Sequence, residues 1–292
     1  MIALHQIAER VDWASFRYAT CSVLPVARAC NCTCAFCFSR SSLSSLPRRH
    51  TAIDVDAYYR FARSRGATRL VVTGGGEPLL RPDTCLAWVR AGAAWFDEIA
   101  LFTNGARLTR ELAGELRSAG LSYVCYSRHH HDDARNFELM GDDAPSLDAF
   151  FDAAADLRVR ATCVMAQGFI DDAASAEAYV HALGARGVRE FTFKHTYVAY
   201  PHSVFRDSPQ DRWAREHAID ADPFAGRGTI VARLPWGPAI RRLGEHQICH
   251  YTEPTPEWER RHRLGRSLNL MADGTIYGSL EDARSRVSLP PG

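Results

Sequence analysis

Short apolar segments alternate with amphipathic segments through the first two thirds of the chain. Runs of four to eight apolar or β-branched residues indicate strands, and apolar positions spaced three and four apart indicate helices. The predicted strands are Arg17–Leu24, Arg69–Thr73, Glu98–Phe102, Leu121–Tyr126, Arg158–Met165 and Glu190–Phe193. The predicted helices are Asp54–Arg65, Pro82–Ala91, Thr109–Ser118, Ser146–Asp156 and Ala173–Ala185.

This order gives about six β-then-α units, which is typical of a parallel sheet covered by helices. A closed barrel of this type needs eight units. The pattern therefore predicts an α/β fold, a partial (βα)6 TIM-like barrel that is open at one side. In such folds the chemistry lies at the C-terminal ends of the strands.

The alternation stops after about residue 196. Thr229–Leu234 and Ser267–Met271 are predicted strands, and a hairpin turn over residues 272–274 leads into a return strand. We expect an N-terminal extension over residues 1–16, a barrel core over 17–195, and a C-terminal extension over 196–292. The C-terminal extension is expected to cap the open side of the barrel and to contribute substrate contacts.

Composition narrows the functional classes. The formal net charge of the 292 residues is +1, which gives no indication of a nucleic-acid or membrane partner. The N-terminus lacks the apolar segment of a signal peptide and no long apolar run occurs, so we expect a cytoplasmic protein. Nine cysteines in a reducing compartment favour metal or redox chemistry over disulfides.

Four of the nine cysteines fall between residues 30 and 37. Cys30, Cys34 and Cys37 have the spacing C-x3-C-x2-C, and three such thiolates can bind three irons of a [4Fe–4S] cluster. The fourth iron then stays open to chelate S-adenosylmethionine (SAM) and to cleave it into a 5′-deoxyadenosyl radical. The alternative is a structural zinc site, which usually takes four ligands, and no second Cys-x2-Cys pair is present. Cys32 is interpreted as a non-ligand.

A glycine-rich turn over residues 73–78 follows the second predicted strand. Gly75 and Gly76 allow close backbone approach to a ligand, and Glu77 adds a carboxylate that suits the ammonium group of SAM. The alternative is an ordinary turn. A phosphate loop is not indicated, because no Lys-Ser/Thr pair follows.

The two motifs together resemble the radical SAM superfamily over residues 17–195. The resemblance implies that Phe36, which precedes the last cysteine of the motif, lies near the adenine of SAM. It implies that the strand end at Gly75, Gly76 and Glu77 holds the amino group. Thr103 and Asn104 fit the family at the end of the third strand, and Ser127 matches a position that often contacts the ribose or carboxylate. For these last three, the alternative is that such residues are common in turns and at strand ends.

Cys249 is the only cysteine of the C-terminal extension, so it cannot hold a second cluster alone. A thiol can instead return a hydrogen atom to a substrate radical, because its S–H bond is weaker than an aliphatic C–H bond. With this thiol and a single cluster motif, the chain resembles the radical SAM epimerases of aminoglycoside biosynthesis. The alternative is a buried structural cysteine.

The resemblance implies a polycationic aminoglycoside substrate, an external one-electron reductant and SAM as co-substrate. Carboxylates are expected to bind the substrate; the candidates are Asp132, Asp133, Glu138, Asp142, Asp143, Glu253, Glu257, Glu281 and Asp282. The residues 129–131 are interpreted as a polar loop. Three alternatives stay open: a radical SAM dehydrogenase or other modifier of a small natural product, a peptide epimerase, and a non-catalytic zinc or iron–sulfur module.

Overall fold

A single mixed sheet of twelve strands organises the computed structural model, which describes residues 11–46, 48–196 and 206–290. The strands are β1 (Arg17–Val23), β2 (Arg69–Val72), β3 (Glu98–Thr103), β4 (Tyr123–Ser127), β5 (Val159–Val164), β6 (Glu190–Lys194), β7 (Thr229–Arg233), β8 (Ala239–Leu243), β9 (His246–Tyr251), β10 (Leu264–Leu270), β11 (Ile276–Tyr277) and β12 (Arg286–Val287). The α-helices are α1 (Val55–Ser64), α2 (Pro82–Gly92), α3 (Arg110–Ser118), α4 (Asp133–Met140), α5 (Leu147–Ala153), α6 (Ala173–Gly184), α7 (Pro209–Glu216) and α8 (Pro256–His262). Residues 1–10 of the expected N-terminal extension lie outside the described part.

The six predicted strands are confirmed as β1 to β6, which lie side by side in chain order with all neighbours parallel. One or more helices connect each strand to the next. The predicted α/β fold with a parallel, barrel-like sheet is therefore confirmed.

Two strands of the C-terminal extension lengthen this parallel sheet. β10 pairs in parallel with β1, and β9 pairs in parallel with β6. The sheet thus contains eight adjacent parallel strands in the order β10-β1-β2-β3-β4-β5-β6-β9. The extension therefore supplies the two outer strands of the barrel sheet, and its expected roles as a cap and in substrate contacts stay predictions. The sequence analysis predicted β10 but missed β9.

An ion pair links these two outer strands. Glu253 follows β9, and its Oε2 lies 2.9 Å from Nε of Arg266 on β10. The other oxygen accepts a 2.8 Å hydrogen bond from Lys194 at the end of β6. The open side of the predicted partial barrel is thus bridged by side chains of the extension.

Each barrel strand presents alternate residues to the helices and to the barrel interior. On β6, Phe191 and Phe193 pack on Tyr179 of α6, with ring centroids 6.2 and 5.6 Å away. Glu190 and Thr192 lie on the opposite, inner face. The main hydrophobic core lies between the outer face of the sheet and α1, α2 and α3. Within the described ranges, every helix is too short or too polar to cross a bilayer.

Candidate active site

The cysteine loop connects β1 to α1, at the C-terminal end of the barrel strands. α4 holds the middle of this loop, because Thr33 N–H donates to the Met140 carbonyl at 2.8 Å. A small apolar cluster surrounds the loop and includes Cys32, Phe36, Leu139 and Val164. The sequence analysis did not predict α4, although Asp132 is a typical N-cap residue in front of it.

The four thiols of the loop differ in exposure. Cys30 is exposed, Cys34 and Cys37 are half-buried, and Cys32 is only 3% exposed. A hydrogen bond from the Cys32 thiol lowers the pKa of Cys30 to about 7, whereas burial raises the pKa of Cys34 and of Cys37. The burial of Cys32 fits its interpretation as a non-ligand. The assignment of the other three as cluster ligands stays a prediction.

The donor set fits an iron–sulfur cluster. Thiolates are the usual ligands of such clusters, and each binds a separate iron, so the sulfur atoms need not meet at one point. A single zinc ion needs its sulfur ligands to converge at about 2.3 Å from one centre. Within the described residues, no three His, Cys, Asp or Glu side chains are grouped so as to hold one metal ion. The three thiolates therefore fit the ligand set of an iron–sulfur cluster.

The glycine-rich turn packs directly against the first half of the cysteine loop. Gly75 N–H donates to the Val26 carbonyl, and Glu77 N–H donates to the Ala29 carbonyl, both at 2.9 Å. A Cβ on Gly75 would lie 1.9 Å from the Ala27 oxygen, and one on Gly76 would lie 1.9 Å from the Ala29 oxygen. The close approach that the sequence analysis assigned to a ligand is here an approach between two backbone segments, which fixes the cysteine loop on the end of β2. Contact of these glycines with SAM stays a prediction.

The Glu77 carboxylate joins the ends of β2 and β3. It accepts hydrogen bonds from Leu79 N–H at 3.0 Å, from the Thr103 hydroxyl at 2.6 Å and from Asn104 N–H at 2.9 Å. Burial raises its pKa, and these three hydrogen bonds partly offset that effect. The Asn104 amide in turn lies 3.8 Å from the Cys30 sulfur. Glu77, Thr103 and Asn104 therefore form one network that reaches the cysteine loop.

Phe36 is buried and packs edge-on against the imidazole of His129, with ring centroids 4.6 Å apart. Nδ1 of His129 accepts the Val164 N–H at 2.9 Å, so the neutral ring carries its proton on Nε2. Burial lowers the pKa of His129 to about 3. Trp213 of α7 lies on another side of Phe36, at 5.9 Å. The C-terminal extension thus contacts Phe36, the residue predicted to lie near the adenine. The sequence analysis did not predict this contact of Trp213.

The loop that follows β4 surrounds the side chain of Arg128, which is 0% exposed. Its guanidinium donates to the carbonyls of His130 and His131 and pairs with Asp133 at 2.5 Å. The histidine run is therefore a loop, as predicted, but a largely buried one that wraps a charged side chain.

Cys249 lies on β9 and is 8% exposed. Strand register connects it to Ser127 through two threonines: Ser127 is level with Thr162, Thr162 with Thr192, and Thr192 with Cys249. Thr192 is on the inner face, and side chains that are level on neighbouring strands share a face. Ser127 and Cys249 therefore belong to one row of small polar side chains on the barrel-lining face.

Most of the carboxylates expected to bind a cationic substrate have partners within the protein. Asp132 caps α4, Asp133 pairs with Arg128, and Glu138 pairs with Arg135. Toward the C-terminus, Glu257 and Asp282 both pair with Arg260. Glu253 is bound by Lys194 and Arg266. Their role as substrate ligands stays a prediction, and these ion pairs weaken it.

A scan against family models matches residues 24–165 to the radical SAM superfamily. These residues form a radical SAM superfamily domain. The match covers the cysteine loop, the glycine-rich turn and β2 to β5. Members of this superfamily use a [4Fe–4S] cluster and SAM, which are therefore the cofactors of this domain.

Curated relatives share only part of their length with this chain. It is 32% identical over 98 residues to the AdoMet-dependent heme synthase of Methanosarcina barkeri, covering 34% of this chain and 28% of that protein. It is 29% identical over 160 residues to the GTP 3',8-cyclase of Xanthomonas axonopodis pv. citri, covering 51% of this chain and 47% of that protein. The chain thus spans less than half the length of either relative.

Among solved structures, Streptococcus suis SuiB bound to its precursor peptide SuiA is similar over 91% of this chain and 60% of SuiB. The TM-score is 0.57 at 14% identity, so the likeness concerns the fold alone.

Proposed function

We propose that this protein is a radical SAM epimerase that inverts one sugar carbon of an aminoglycoside, as neomycin C epimerase inverts C5‴ of neomycin C. When bound, the cluster and SAM supply a 5′-deoxyadenosyl radical, which removes a hydrogen atom from the substrate. Cys249 returns a hydrogen atom to the opposite face of the same carbon. A substrate placed between the radical and this thiol is thereby inverted.

The observation that carries the proposal is the position of Cys249 in the row that contains Ser127. Three strand steps separate the two residues along the curved sheet. Because neighbouring strands are about 4.8 Å apart, the path along the sheet is roughly 14 Å. Ser127 matches a family position that often contacts the ribose or carboxylate of SAM. The proposed hydrogen donor therefore faces the same barrel interior as this predicted SAM contact.

The chemical state of the thiol also supports the role. Burial raises the pKa of Cys249 to about 11, so the side chain keeps its S–H bond at neutral pH. A hydrogen-atom donor needs that bond, whereas a nucleophile or metal ligand needs the thiolate. Among the other buried cysteines of the barrel sheet, Cys21 and Cys163 pack on the outer, helix-covered face. Cys125 lies on the inner face of β4, packed in a small cluster with Ala100 and Tyr123.

The decisive experiment uses Cys249→Ser with the reduced, cluster-loaded enzyme, SAM and neomycin C in deuterium oxide. The wild type is expected to give an inverted product with one carbon-bound deuterium. The variant is expected to form 5′-deoxyadenosine without inverted product. An unchanged yield of inverted product from the variant would refute the role of Cys249. An oxidised product from the wild type would point to a dehydrogenase instead.

A further inference from the structure

A cavity of ≈210 Å³ reaches Cys249 from the end of the barrel opposite to the cysteine loop. Its main lining residues are Arg69, Glu98, Arg160, Glu190, Gln247 and Cys249. All but Cys249 are the first or second residues of their strands, which places the cavity at the N-terminal ends of the barrel strands. At roughly 30 Å³ per water molecule, it has room for about seven waters or one small organic molecule.

The cavity is open at its mouth and ends at the thiol. Gln247 is exposed and the Glu98 side chain is 46% exposed, whereas Cys249 is only 8% exposed. Gln247 and Cys249 are two residues apart on β9 and so point to the same face. A small molecule can therefore reach the thiol from the N-terminal ends of the strands without passing the side chain of Ser127.

The charges of the lining cancel, and Phe191 and Ile240 add apolar surface to it. Arg69 pairs with Glu98 at 3.1 Å, and Arg160 pairs with Glu190 at 2.9 Å. Among the described residues, Nε of Arg69 is buried without a hydrogen-bond partner. A buried donor of this kind needs water or a polar ligand. With the apolar lining residues beside it, the cavity is suited to a small molecule that has both a polar group and an aliphatic part.

We infer that this cavity is the site where a small aliphatic thiol restores the hydrogen atom of Cys249 after each turnover. The inference rests on the proposed function, in which Cys249 gives up a hydrogen atom and is left as a thiyl radical. The S–H bond of the small thiol breaks, the S–H bond of Cys249 forms again, and the radical moves to the small thiol. Two such radicals then combine to a disulfide, so that atoms and electrons balance without another reactant.

In this proposal the substrate and the small thiol reach Cys249 from opposite ends of the barrel. The inverted product occupies the SAM side of Cys249 at the moment when the thiyl radical is formed. A reductant that enters from the N-terminal ends can reach the sulfur without displacing that product. It also lets the S–H hydrogen exchange with solvent before the next turnover.

The test closes the mouth of the cavity with Gln247→Trp, which changes an exposed residue and so leaves folding intact. Ile230→Trp is the matched control, because Ile230 is 45% exposed on β7 and does not line the cavity. Cys249 is first labelled with methyl methanethiolsulfonate in the cluster-loaded enzyme holding SAM and neomycin C, and the label is quantified by peptide mass spectrometry. We expect labelling in the wild type and in the control, and at least tenfold slower labelling in Gln247→Trp.

In separate, unlabelled samples, product is counted in the presence of 2-mercaptoethanol. The wild type and the control are expected to turn over repeatedly, whereas Gln247→Trp stops after about one inverted product per chain. Repeated turnover by Gln247→Trp, or complete protection of wild-type Cys249 by SAM and neomycin C, would overturn the inference. If the wild type gives no inverted product while the labelling difference holds, the proposed function fails and the cavity still stands as the route to Cys249.

Discussion

Glu259 allows a quantitative prediction for the free energy of unfolding. Its carboxyl group is buried, and the positive charge near it only partly offsets the effect of burial on its pKa. Glu259 lies on α8, is 3% exposed, and accepts a 2.8 Å hydrogen bond from the Arg266 N–H. Burial raises its pKa from 4.5 to about 7, and the hydrogen bonds from Arg266 and Ser279 only partly offset this. Glu259→Gln keeps a hydrogen-bond acceptor at this place but removes the ionisable group.

The expected effect grows with pH. In the unfolded chain the carboxyl ionises above about pH 4.5, whereas the folded protein holds the proton until about pH 7. Wild-type stability is therefore lost between these two values, and the loss is complete above the higher one. At roughly 1.4 kcal/mol per pKa unit, the ionised wild type is less stable by about 3 kcal/mol. Glu259→Gln should thus be more stable than the wild type by about 2–3 kcal/mol at pH 8.5, and by at most about 1 kcal/mol near pH 5.

The assay is anaerobic urea denaturation of the cluster-loaded enzyme at pH 5, 7 and 8.5, followed by tryptophan fluorescence. Glu253→Gln is the matched control, because Glu253 and Glu259 both lie in the segment that connects β9 to β10. Burial acts to raise the pKa of Glu253, but the charges of Arg266 and Lys194 outweigh it and lower the pKa to about 2. That carboxylate stabilises the fold above about pH 4.5, so its loss should destabilise at all three pH values. If Glu259→Gln gives the same stability difference from wild type at pH 5 and pH 8.5, the reasoning about its burial is wrong.

Two further predictions concern the loops of the site. Arg128→Met removes the buried partner of Asp133 and leaves the loop carbonyls without their donor, so urea denaturation should show a loss of about 3 kcal/mol. Gly75→Ala places a Cβ 1.9 Å from the Ala27 oxygen, so iron analysis after cluster reconstitution should find less than half of the wild-type iron. Gly114→Ala is its control: it has open space inside α3 and should stabilise the fold by about 0.5–1 kcal/mol.

The sequence predicted the strands that are apolar on one or both faces and missed elements that depend on distant contacts. β9 carries polar residues on both faces: Gln247 lies with Cys249 on the inner face, and His246 and His250 lie with Ile248 on the outer face. Such a mixed segment has no clear apolar alternation, so its strand character depends on pairing with β6 and β8.

Local signals for two missed helices were present in the sequence. Ser208 precedes Pro209 at the start of α7, and Thr255 precedes Pro256 at the start of α8. A hydroxyl residue followed by proline is typical of a helix N-terminus. The contact of Trp213 with Phe36, in contrast, joins residues far apart in the chain, and no local pattern predicts it.

The placement of the proposed hydrogen donor on a strand leads to a last prediction. The hydrogen-bonded neighbours β6 and β8 hold Cys249 from both sides, so its thiol cannot swing toward other parts of the substrate. Moving the thiol by one residue turns it to the opposite face of the sheet. The double variant Cys249→Ser/His250→Cys should therefore keep 5′-deoxyadenosine formation and lose inversion, as measured by product chromatography in deuterium oxide. If it still inverts the substrate, then any thiol near this strand is sufficient, and the inner face of β9 does not determine which side of the carbon receives the hydrogen atom.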